Sequence, residues 1–516
     1  MKKAPFNIMD YFYIAAQKYP NRIAIIEKNK EISFSKLEKE VEITVSYFQS
    51  KGIKKGDRVL IFVPMSIDLY RIVMALFSIG AIAVFLDEWV SRRRMEICCQ
   101  LANCKAFIGI FNAHIYAYLS PELRKIPIKL GTGYRLLSTE AYTKEGVFSE
   151  DTALITFTTG STGIPKAAKR THGFLNEQFK ALLEKMNPVP DDVDMPVLPV
   201  PLLINLGIGC TSVIAEFKSR KPESMNAKKI VDQINKYNVS RIVASPFFIK
   251  QLSHFLLKEK ISTPSIKNIF TGGAPVFPVE CALYNQAFPD ANIEVLYGST
   301  EAEPISSINT KELKLQESMN VSQGLFVGIP YQGAKVKIIK LKSGLISCRN
   351  EQELEEITLP KGEIGEIIVS GHHVLREYFN NNEAIKQNKI FISETCWHRT
   401  GDSGYLDKNG GLFLTGRCNT LIERNKELLA PFMFEDFFSR FPEIEMGTIM
   451  MIDQQLNAII ELKSKDDVAK TRQKIENSTP IFEKIIFIKK MPRDPRHHSK
   501  IDYDVLRERL RKARNN

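Results

Sequence analysis

The sequence lacks the cysteine patterns that are typical of disulfide-rich or zinc-binding proteins. Its 516 residues contain eight scattered cysteines and no C-x-x-C pair. The closest group, Cys98, Cys99 and Cys104, has no histidine beside it that would complete a zinc set. We therefore expect free or buried thiols in a reducing compartment.

A secretion signal and a membrane-spanning run are also missing. Asp10 and Gln17 interrupt the apolar stretch near the N-terminus, which argues against a signal peptide. The uncharged stretch from Ile72 to Leu86 is shorter than the roughly 20 residues of a spanning helix, so we interpret it as a buried helix that runs into a strand. The stretch from Met195 to Ala215 is longer, but its prolines and glycines would break a spanning helix. The sequence predicts a cytoplasmic protein without a transmembrane segment.

Acidic residues are outnumbered by basic ones. The chain has 71 Lys and Arg against 59 Asp and Glu, a net charge of +12, while 44% apolar and 25% charged residues exclude general disorder. The segment from Ile481 to Asn516 holds eleven basic and five acidic residues, so it carries half of the excess. It is either a solvated tail or a positive surface for phosphates or an acidic partner. Because aromatic residues are few there, we expect no nucleic-acid partner.

The apolar pattern predicts an α/β protein. Helical-length segments alternate with short β-branched runs, which favours layered α/β structure with parallel sheets. After about Lys335, short runs separated by glycine, asparagine and lysine predict a β-rich subunit. We expect a large N-terminal domain of several subdomains over residues 1–417 and a small α+β C-terminal domain over residues 418–516.

The individual elements follow from the same pattern. The predicted helices are Ser35–Gln49, Ile67–Phe77 and a segment near Asp466–Glu476. The predicted strands are Val59–Val63, Ala83–Leu86, Ala106–Ile110, Ala153–Phe157, Arg241–Ala244, Ile293–Leu296, Val336–Leu341, Gly365–Ser370, Gly411–Thr415, Gly447–Ile452, Ala458–Leu462 and Lys484–Ile488.

A loop rich in glycine and hydroxyl side chains follows one predicted strand. It consists of Thr158, Thr159, Gly160, Ser161, Thr162, Gly163, Ile164, Pro165 and Lys166. Glycines let the backbone approach an anion, hydroxyls donate to phosphate oxygens, and the lysine adds a positive charge. No Walker A pattern occurs in the chain. A short turn of this kind is usually only flexible, but nine such residues in a row favour a phosphate site.

This loop resembles the phosphate loop of the adenylate-forming superfamily, which includes acyl-CoA synthetases, luciferases and peptide-synthetase adenylation domains. Further segments resemble that family's motifs in the right order, and the match covers nearly the whole chain. They are Gly272-Gly273-Ala274-Pro275 for the adenine pocket, Tyr297-Gly298-Ser299-Thr300-Glu301 for adenine and magnesium, Thr400 to Tyr405 with Thr415-Gly416-Arg417 for ribose, and Pro492 to Lys500 with Leu506 for the catalytic lysine.

The resemblance implies ATP and Mg²⁺ as cofactors, and it implies a role for each residue toward the nucleotide. Tyr297 would stack on adenine, Asp402 would accept from the ribose hydroxyls, and Arg417 would reach ribose or phosphate oxygens. The backbone of the glycine segments, Gly272, Gly273, Ala274 and Gly298, would line the nucleotide pocket.

The resemblance also implies the catalytic groups. Glu301 would ligate Mg²⁺, and the hydroxyls of Thr300 and Thr158 would contact the α-phosphate. Lys166 would add charge at the phosphates. Lys500, on a mobile C-terminal lid, would neutralise the charge that develops as pyrophosphate leaves.

Three positions depart from the thioester-forming members of that family. Asn419 stands where a hinge Asp or Lys is usual, and Lys426 stands where a glycine lines the thiol tunnel. The segment Pro199–Leu206 lacks the histidine or aromatic residue of the acyl gate. CoA therefore stays open as a cofactor.

Several stretches look closer to one branch, the β-lactone synthetases of bacterial long-chain olefin biosynthesis. Members of that branch activate a β-hydroxy fatty acid, whose own hydroxyl then displaces AMP. The stretches are Lys105 to Ile110, Asp194-Met195-Pro196 with Thr211 to Ile214, Tyr297 to Ser307, and Asp494 to Ile501.

The implied function is ATP-dependent, AMP-forming activation of a carboxylic acid through an acyl-adenylate. Apolar residues in Leu202–Ile208 and Val243–Phe248 suggest a slot for a medium- or long-chain fatty or 3-hydroxy fatty acid. The expected partners are the acid and ATP, with CoA, an acyl carrier or a pathway enzyme left open. A fatty-acid–CoA ligase, a CoA-independent β-lactone synthetase and a non-catalytic nucleotide-binding module are the alternatives; the intact set of charged motif residues argues against the last.

Overall fold

A computed structural model describes most of the chain. It covers residues 5–86, 92–133, 146–158, 165–217, 222–313, 321, 323–425, 427–464, 468–493 and 500–515. Within these residues the helices and strands alternate along the first two thirds of the chain, as the sequence predicts.

The strands are β1 (Ile23–Glu27), β2 (Lys30–Ser33), β3 (Arg58–Phe62), β4 (Ile82–Phe85), β5 (Ala106–Gly109), β6 (Ile128–Leu130), β7 (Thr152–Thr158), β8 (Lys166–Thr171), β9 (Val193–Pro196), β10 (Thr211–Ile214), β11 (Arg241–Ala244), β12 (Asn268–Gly272), β13 (Asn292–Ser299), β14 (Ala302–Asn309), β15 (Leu325–Phe326), β16 (Ile329–Pro330), β17 (Lys335–Ile339), β18 (Gly365–Ser370), β19 (Lys389–Ile392), β20 (Thr395–Leu406), β21 (Leu412–Arg417), β22 (Ile422–Arg424), β23 (Glu427–Leu429), β24 (Ile444–Ile452), β25 (Gln455–Leu462) and β26 (Lys484–Ile488).

The helices are α1 (Asp10–Lys18), α2 (Phe34–Ser50), α3 (Ile67–Ser78), α4 (Arg92–Ala102), α5 (Phe111–Leu119), α6 (Pro121–Arg124), α7 (His172–Met186), α8 (Pro199–Ile208), α9 (Ala227–Tyr237), α10 (Pro246–Glu259), α11 (Pro278–Ala287), α12 (Glu351–Ile357), α13 (Asn382–Asn388), α14 (Pro431–Ser439), α15 (Val468–Ser478) and α16 (Tyr503–Asn515). Two short 3₁₀ turns lie at Pro222–Ser224 and Cys418–Thr420.

Two large sheets build the first part of the molecule. One has nine strands in the order β16-β14-β13-β12-β11-β9-β10-β1-β2, and the other has six in the order β6-β5-β3-β4-β7-β8. The central neighbours are parallel, and antiparallel pairs occur toward the edges, at β13–β14, β1–β2 and β7–β8. The predicted α/β layers with parallel sheets are thus confirmed.

Helix α3 lies between these two sheets. Its ten residues from Leu69 to Ser78 are all buried, and all of them except Arg71 and Ser78 share a core cluster with residues of β1, β3 and β4. A helix that is apolar on every side is stable only when it is covered on every side. The prediction that Ile72 to Leu86 is a buried helix running into a strand is confirmed, because β4 follows α3 directly.

The later strands form smaller units. Strands β15, β21, β20, β18 and β17 make a sheet with β19 added on β20, and this is the predicted β-rich subunit. After Arg417, β22 and β23 form a hairpin, and β24, β25 and β26 form a separate three-stranded sheet. Among the described residues, no sheet contains strands from both sides of Arg417. The division between residues 417 and 418 stays a prediction.

Some element boundaries differ from the prediction for reasons that depend on the partner strand. The strand predicted over Gly411–Thr415 extends to Arg417, because Arg417 pairs with Asp402 of the neighbouring β20. The strand predicted over Val336–Leu341 ends at Ile339, where the pairing with β18 ends.

The proline-rich stretch from Met195 to Ala215 contains a helix that was not predicted. Helix α8 begins at Pro199, and a proline is tolerated in a first turn, where its missing N–H has no helical partner to lose. Gly209 ends the helix in a left-handed conformation with φ +95°. In the described part of the chain, no helix is long and apolar enough to cross a membrane. All eight cysteines are free, as expected.

Candidate active site

The adenine-pocket and adenine–magnesium motifs lie side by side at the carboxyl ends of β12 and β13. Gly272 and Leu296 are register partners in this parallel pair. A Cβ atom on Gly272 would lie 2.5 Å from the carbonyl oxygen of Leu296, so only glycine allows this close approach. Gly273 has φ +82°, which also favours glycine. The backbone at Gly272 to Ala274 is thereby held next to the strand that carries Tyr297.

Tyr297, Asp402 and Arg417 come together in one hydrogen-bonded group. The Tyr297 hydroxyl donates to Oδ2 of Asp402 at 2.8 Å, and Nε of Arg417 lies 3.1 Å from Oδ1 of the same carboxylate. Asp402 and Arg417 are cross-strand partners of β20 and β21. The structure therefore joins residues of three sequence motifs into one site.

The electrostatics of this group keep Tyr297 and Arg417 protonated. Burial and the adjacent Asp402 raise the pKa of Tyr297, so its hydroxyl stays protonated and donates. The Asp402 charge raises the pKa of Arg417 in turn. The guanidinium also donates from Nη1 to the carbonyl of Thr400 at 3.2 Å, while about half of the Arg417 side chain faces solvent. Asp402 thus presents a fixed carboxylate beside an accessible cation.

Glu301 lies in the turn between β13 and β14, where neighbouring segments hold it from several directions. The Tyr378 hydroxyl donates to its Oε1 at 2.9 Å, and the Leu375 N–H donates to its backbone carbonyl at 2.7 Å. Nη2 of Arg170 donates to the carbonyl of Thr300 at 3.3 Å. The segment around Leu375 and Tyr378 therefore fixes both the backbone and the carboxylate of Glu301.

The surroundings of Glu301 favour its charged form. Burial by itself would raise the pKa of Glu301, but His398, Lys389 and the Tyr378 hydroxyl outweigh burial and lower it. Burial also lowers the pKa of His398 to about 3, so this ring is neutral near pH 7. Lys389 and Tyr378 then contribute most to holding Glu301 as a carboxylate at that pH.

Two ammonium groups lie near the ring of Tyr378. Nζ of Lys389 lies 5.5 Å from the ring centroid and Nζ of Lys166 lies 5.9 Å from it, within the range of cation–π attraction. Lys389 also donates to the carbonyl of Leu375, and Lys166 donates to Oδ1 of Asn388 at 2.8 Å. Burial lowers the pKa of Lys166, and it lowers that of Lys389 to about 8. This cationic cage connects the end of the phosphate loop to Glu301.

Sequence reasoning missed Tyr378, Lys389, Asn388 and His398. Tyr378 lies 77 residues from Glu301 along the chain, and no motif that we used covers it. His398 offers the one available signal, since it stands two residues before the Thr400 motif. Its Nδ1 lies 3.2 Å from the carbonyl of Asn388, which connects it to the same cage.

The structure describes only some of the other residues predicted for the site. Thr158 ends β7 and pairs in register with Lys166 of β8, so the two ends of the phosphate loop are adjacent. Thr159, Gly160, Ser161, Thr162 and Gly163 lie outside the described residues, as does Lys426. A Cβ on Gly298 would meet the Ala302 carbonyl at 2.8 Å, so this turn also requires a small residue.

Lys500 lies in the C-terminal unit. Its neighbour Ile501 bridges to Arg493 and packs with Met450, Ile459, Met491 and Leu506 on the three-stranded sheet. A cavity of about 290 Å³ is lined by Asn419 and Thr420, just after β21, and by Tyr503 and Arg507 near the start of α16. The linker after Arg417 and the segment that follows Lys500 thus line the same cavity.

The apolar segments of the expected acyl slot contribute to one core cluster. Helix α8 places Ile204 against Phe179, and Val243 and Phe270 belong to the same cluster. Packing at this position explains the apolar sequence without a ligand, so the acyl slot stays a prediction.

Comparison with known proteins identifies the family of the chain. The family model described as AMP-binding enzyme matches residues 12–379. An olefin beta-lactone synthetase of Stenotrophomonas maltophilia (strain K279a) is 30% identical over 392 residues, 72% of this chain and 70% of that protein. The mitochondrial medium-chain acyl-CoA ligase ACSF2 of Mus musculus is 23% identical over 500 residues, 87% of this chain and 78% of that protein.

The solved structures agree at the level of the fold. ATP-bound MatB from Rhodopseudomonas palustris superposes with a TM-score of 0.79 at 20% identity, covering 98% of this chain and 99% of that one. Fold neighbours of this kind have a large N-terminal domain and a smaller C-terminal domain, as predicted from the sequence. Because the family model spans more than two thirds of the chain, the protein belongs to the AMP-binding enzyme family, among the ligases and synthetases that form adenylates.

Proposed function

We propose that the protein activates a carboxylic acid with ATP and releases pyrophosphate, leaving an acyl-adenylate. The observation that carries this proposal is the hydrogen-bonded group of Tyr297, Asp402 and Arg417 next to the fixed carboxylate of Glu301. An aromatic face, a carboxylate acceptor and a guanidinium suit the adenine, the ribose and the phosphate of one nucleotide. Pocket backbone at Gly272, Gly273, Ala274 and Gly298 completes that side of the proposed site.

The phosphates would lie toward the loop that begins at Thr158 and ends at Lys166. In our proposal its hydroxyls and glycines, Thr158, Thr159, Gly160, Ser161, Thr162 and Gly163, surround the phosphates. Lys166 reaches this side from β8, and Thr300 offers a hydroxyl to the α-phosphate. Backbone and hydroxyl donors suit an anion without a Walker A lysine.

Glu301 fits a magnesium ion that is bound together with the substrate. Among its described contacts only Oε1 is bonded, so Oε2 is available as a ligand. Mg²⁺ is commonly held by one or two carboxylates with substrate phosphates and water. In the described part of the chain no three His, Cys, Asp or Glu side chains converge on a metal. The ion would neutralise phosphate charge.

The chemistry is a displacement at the α-phosphorus. An oxygen of the acid's carboxylate forms the new bond, the bond to the bridging oxygen breaks, and pyrophosphate leaves with the electron pair. We propose that Lys500 neutralises the charge that the acyl carboxylate and the α-phosphate share as pyrophosphate leaves. This requires the C-terminal unit to turn about the linker after Arg417, which passes the cavity near Asn419.

Acid-dependent exchange of labelled pyrophosphate into ATP tests this first step without any acceptor. We expect exchange with medium- and long-chain fatty or 3-hydroxy fatty acids in the presence of Mg²⁺. Asp402→Asn should reduce it by raising the KM for ATP at least about tenfold, because the ion pair with Arg417 and a charged ribose acceptor are both lost. Absence of exchange with every acid would reject the proposal.

The acceptor of the acyl group distinguishes two versions of this function. A fatty-acid–CoA ligase would pass the acyl group to CoA or to a carrier, as the acyl-CoA ligase relatives suggest. A β-lactone synthetase would let the 3-hydroxyl of the substrate displace AMP, as the name of the 30% identical relative suggests. An intramolecular hydroxyl needs no thiol tunnel and gains from its proximity to the activated carbonyl.

Mass spectrometry of products, with and without CoA, separates the two versions. A 3-hydroxy fatty acid should give AMP and a product lighter by one water without CoA if the lactone version holds. CoA-dependent thioester from an unsubstituted fatty acid supports the ligase version instead. We predict that the protein is cytoplasmic.

A further inference from the structure

Helix α5 turns its largest apolar side chains to solvent. Phe111 is 79% exposed, Tyr118 74%, Leu119 59% and Ile115 50%. These positions are spaced i, i+4, i+7 and i+8, so they form one stripe along the helix. The opposite face carries Ala117, which is buried against the protein. The amphipathic pattern is therefore inverted, with small residues inside and large apolar residues outside.

The helix is fixed in this orientation. Nε2 of His114 lies 3.0 Å from the carbonyl of Leu130, and its ring packs edge-on against Phe107 at 5.2 Å. Nη2 of Arg92 donates to the carbonyl of Leu119 at 3.0 Å and caps the last turn. The apolar stripe formed by Phe111, Ile115, Tyr118 and Leu119 is thus held outward by polar contacts.

Basic side chains lie on the elements next to α5. Arg92 touches it through Leu119, and α6, which packs against α5, ends at Arg124 next to Lys125. Residues 92–133 contain seven Lys and Arg against two Glu, and helix α5 itself has no acidic residue. The exposed members are Arg92, Arg93, Arg124, Lys125 and Lys129, which we call the basic rim.

The apolar stripe begins at the same edge of the sheet as the phosphate loop. Strands β5, β3, β4 and β7 are parallel neighbours in that order, so their carboxyl ends share one edge. Helix α5 follows β5, and the phosphate loop follows β7. Three strand spacings of ~4.8 Å separate them by roughly 14 Å.

We propose that α5 docks the protein on an anionic lipid surface. Aliphatic and aromatic side chains enter the boundary between headgroups and acyl chains, while Arg and Lys remain at the phosphates. Helix α5 has no acid and presents a stripe of four exposed apolar residues next to a rim of five cations, of which Arg92 and Lys125 also pair with Glu96 and Glu122. This combination is complementary to an anionic lipid surface. This inference goes beyond the proposed function, although a membrane contact beside the phosphate loop would suit an enzyme whose acid dissolves in lipid.

Flotation with vesicles tests the proposal directly. The full-length protein should bind vesicles of phosphatidylcholine with about 30% phosphatidylglycerol, bind pure phosphatidylcholine far less, and dissociate as salt is raised. The variant Phe111→Ser/Ile115→Ser/Tyr118→Ser should lose at least about 50-fold in partitioning, because three inserted side chains become polar. The matched control Ile14→Ser/Ile329→Ser/Leu345→Ser changes equally exposed apolar residues elsewhere and should bind as the unmodified protein does.

A charge variant separates the basic rim from the apolar stripe. Arg93→Gln/Arg124→Gln/Lys125→Gln should lose about fivefold per charge on anionic vesicles and little on neutral ones. Pyrophosphate exchange with soluble octanoate should be unchanged in the variants of the stripe and the rim. Failure of the lipid-docking proposal would therefore not contradict the proposed function. Unmodified protein that ignores both vesicle types, or equal binding by the stripe variant, would overturn the proposal. A dimer that the stripe variant converts to monomer would also overturn it, since a second copy would then cover α5.

Discussion

At the scale of single residues, the proposed site depends on residues that position the side chains of other residues. Glu301 is positioned by Tyr378 and Leu375, and Asp402 is positioned by Tyr297 and Arg417. Buried polar groups with partners keep one geometry, whereas unpaired ones would be costly. The side chains proposed to meet the nucleotide are therefore oriented before it binds.

Removing one oxygen atom tests this arrangement. Tyr378→Phe keeps the aromatic ring near Lys166 and Lys389 but deletes the hydroxyl that donates to Glu301. A hydrogen bond to a charged group contributes about 1.5–3 kcal/mol, so we expect the half-saturating Mg²⁺ concentration in pyrophosphate exchange to rise about tenfold.

The control for that variant removes the same atom elsewhere. Tyr331 donates to Oε2 of Glu184 at 3.1 Å on the exposed surface. Tyr331→Phe should leave the Mg²⁺ dependence as it is. Equal Mg²⁺ dependence in both variants would show that Tyr378 does not position Glu301.

The sequence allowed the motif residues of the site to be predicted, but not the residues that support them. Tyr297, Glu301, Asp402 and Arg417 stand in short segments whose residue types suit nucleotide chemistry. Tyr378 and Lys389 reach Glu301 from 77 and 88 positions away, and only the folded sheets bring them there. A buried lysine also looks like any surface lysine until its surroundings are known.

At the scale of elements, the strand ends decide where the motifs meet. β12 and β13 bring Gly272 beside Leu296, and β20 and β21 bring Asp402 beside Arg417. Such pairings depend on register, which a pattern of apolar residues specifies poorly along a single strand. For this reason the sequence predicted the central residues of β21 correctly but placed the end of the strand at Thr415, two residues before its observed end at Arg417.

A methyl group on Gly272 tests the close approach of β12 to β13. Gly272→Ala should lower the free energy of unfolding by roughly 2–4 kcal/mol, because its Cβ would overlap the Leu296 carbonyl. Gly133→Ala is the matched control, since a Cβ there meets nothing within 4 Å. Urea unfolding measures both, and equal stability of the two variants would contradict the packing described.

The contact between α14 and α16 predicts a pH dependence in the C-terminal unit. Burial raises the pKa of Glu435 to about 7, and Tyr503 donates to this carboxyl. The folded protein therefore binds a proton that the unfolded chain has lost between about pH 4.5 and pH 7, so this group's contribution to stability falls as pH rises through that window.

Glu435→Gln removes the titration and keeps the acceptor for Tyr503. The variant should be more stable than the unmodified protein at pH 8 by roughly 1–3 kcal/mol, and the difference should vanish near pH 4.5. Thermal or urea unfolding at the two pH values measures this. A difference that grows toward acid would contradict the assignment.

At the scale of the whole molecule, the proposed reaction requires two units that act together. The hydrogen-bonded group of Tyr297, Asp402 and Arg417 lies in the sheets before residue 418. Lys500 lies in the unit after that residue, next to Ile501, which packs on the three-stranded sheet. The sequence predicts two units, because the pattern of apolar residues differs between the two parts of the chain. In our proposal the linker after Arg417 determines how Lys500 is oriented toward the phosphates, and a local sequence pattern does not encode that orientation.

Lys500→Ala tests whether the C-terminal unit supplies a charge for adenylate formation. We expect adenylate formation to fall about 10²–10³-fold, since one charge near the transition state is lost. ATP binding and thermal stability should stay close to those of Lys489→Ala, a control on the same basic segment. Pyrophosphate exchange at the unmodified rate would contradict the role given to Lys500.

The central claim is that the acid's own oxygen attacks the α-phosphorus of ATP. The most direct measurement uses a fatty acid labelled with ¹⁸O in its carboxylate and follows the phosphorus products by ³¹P NMR and mass spectrometry. The account predicts AMP that carries one ¹⁸O atom, together with unlabelled pyrophosphate. ADP with ¹⁸O in inorganic phosphate, or AMP without label, would contradict it.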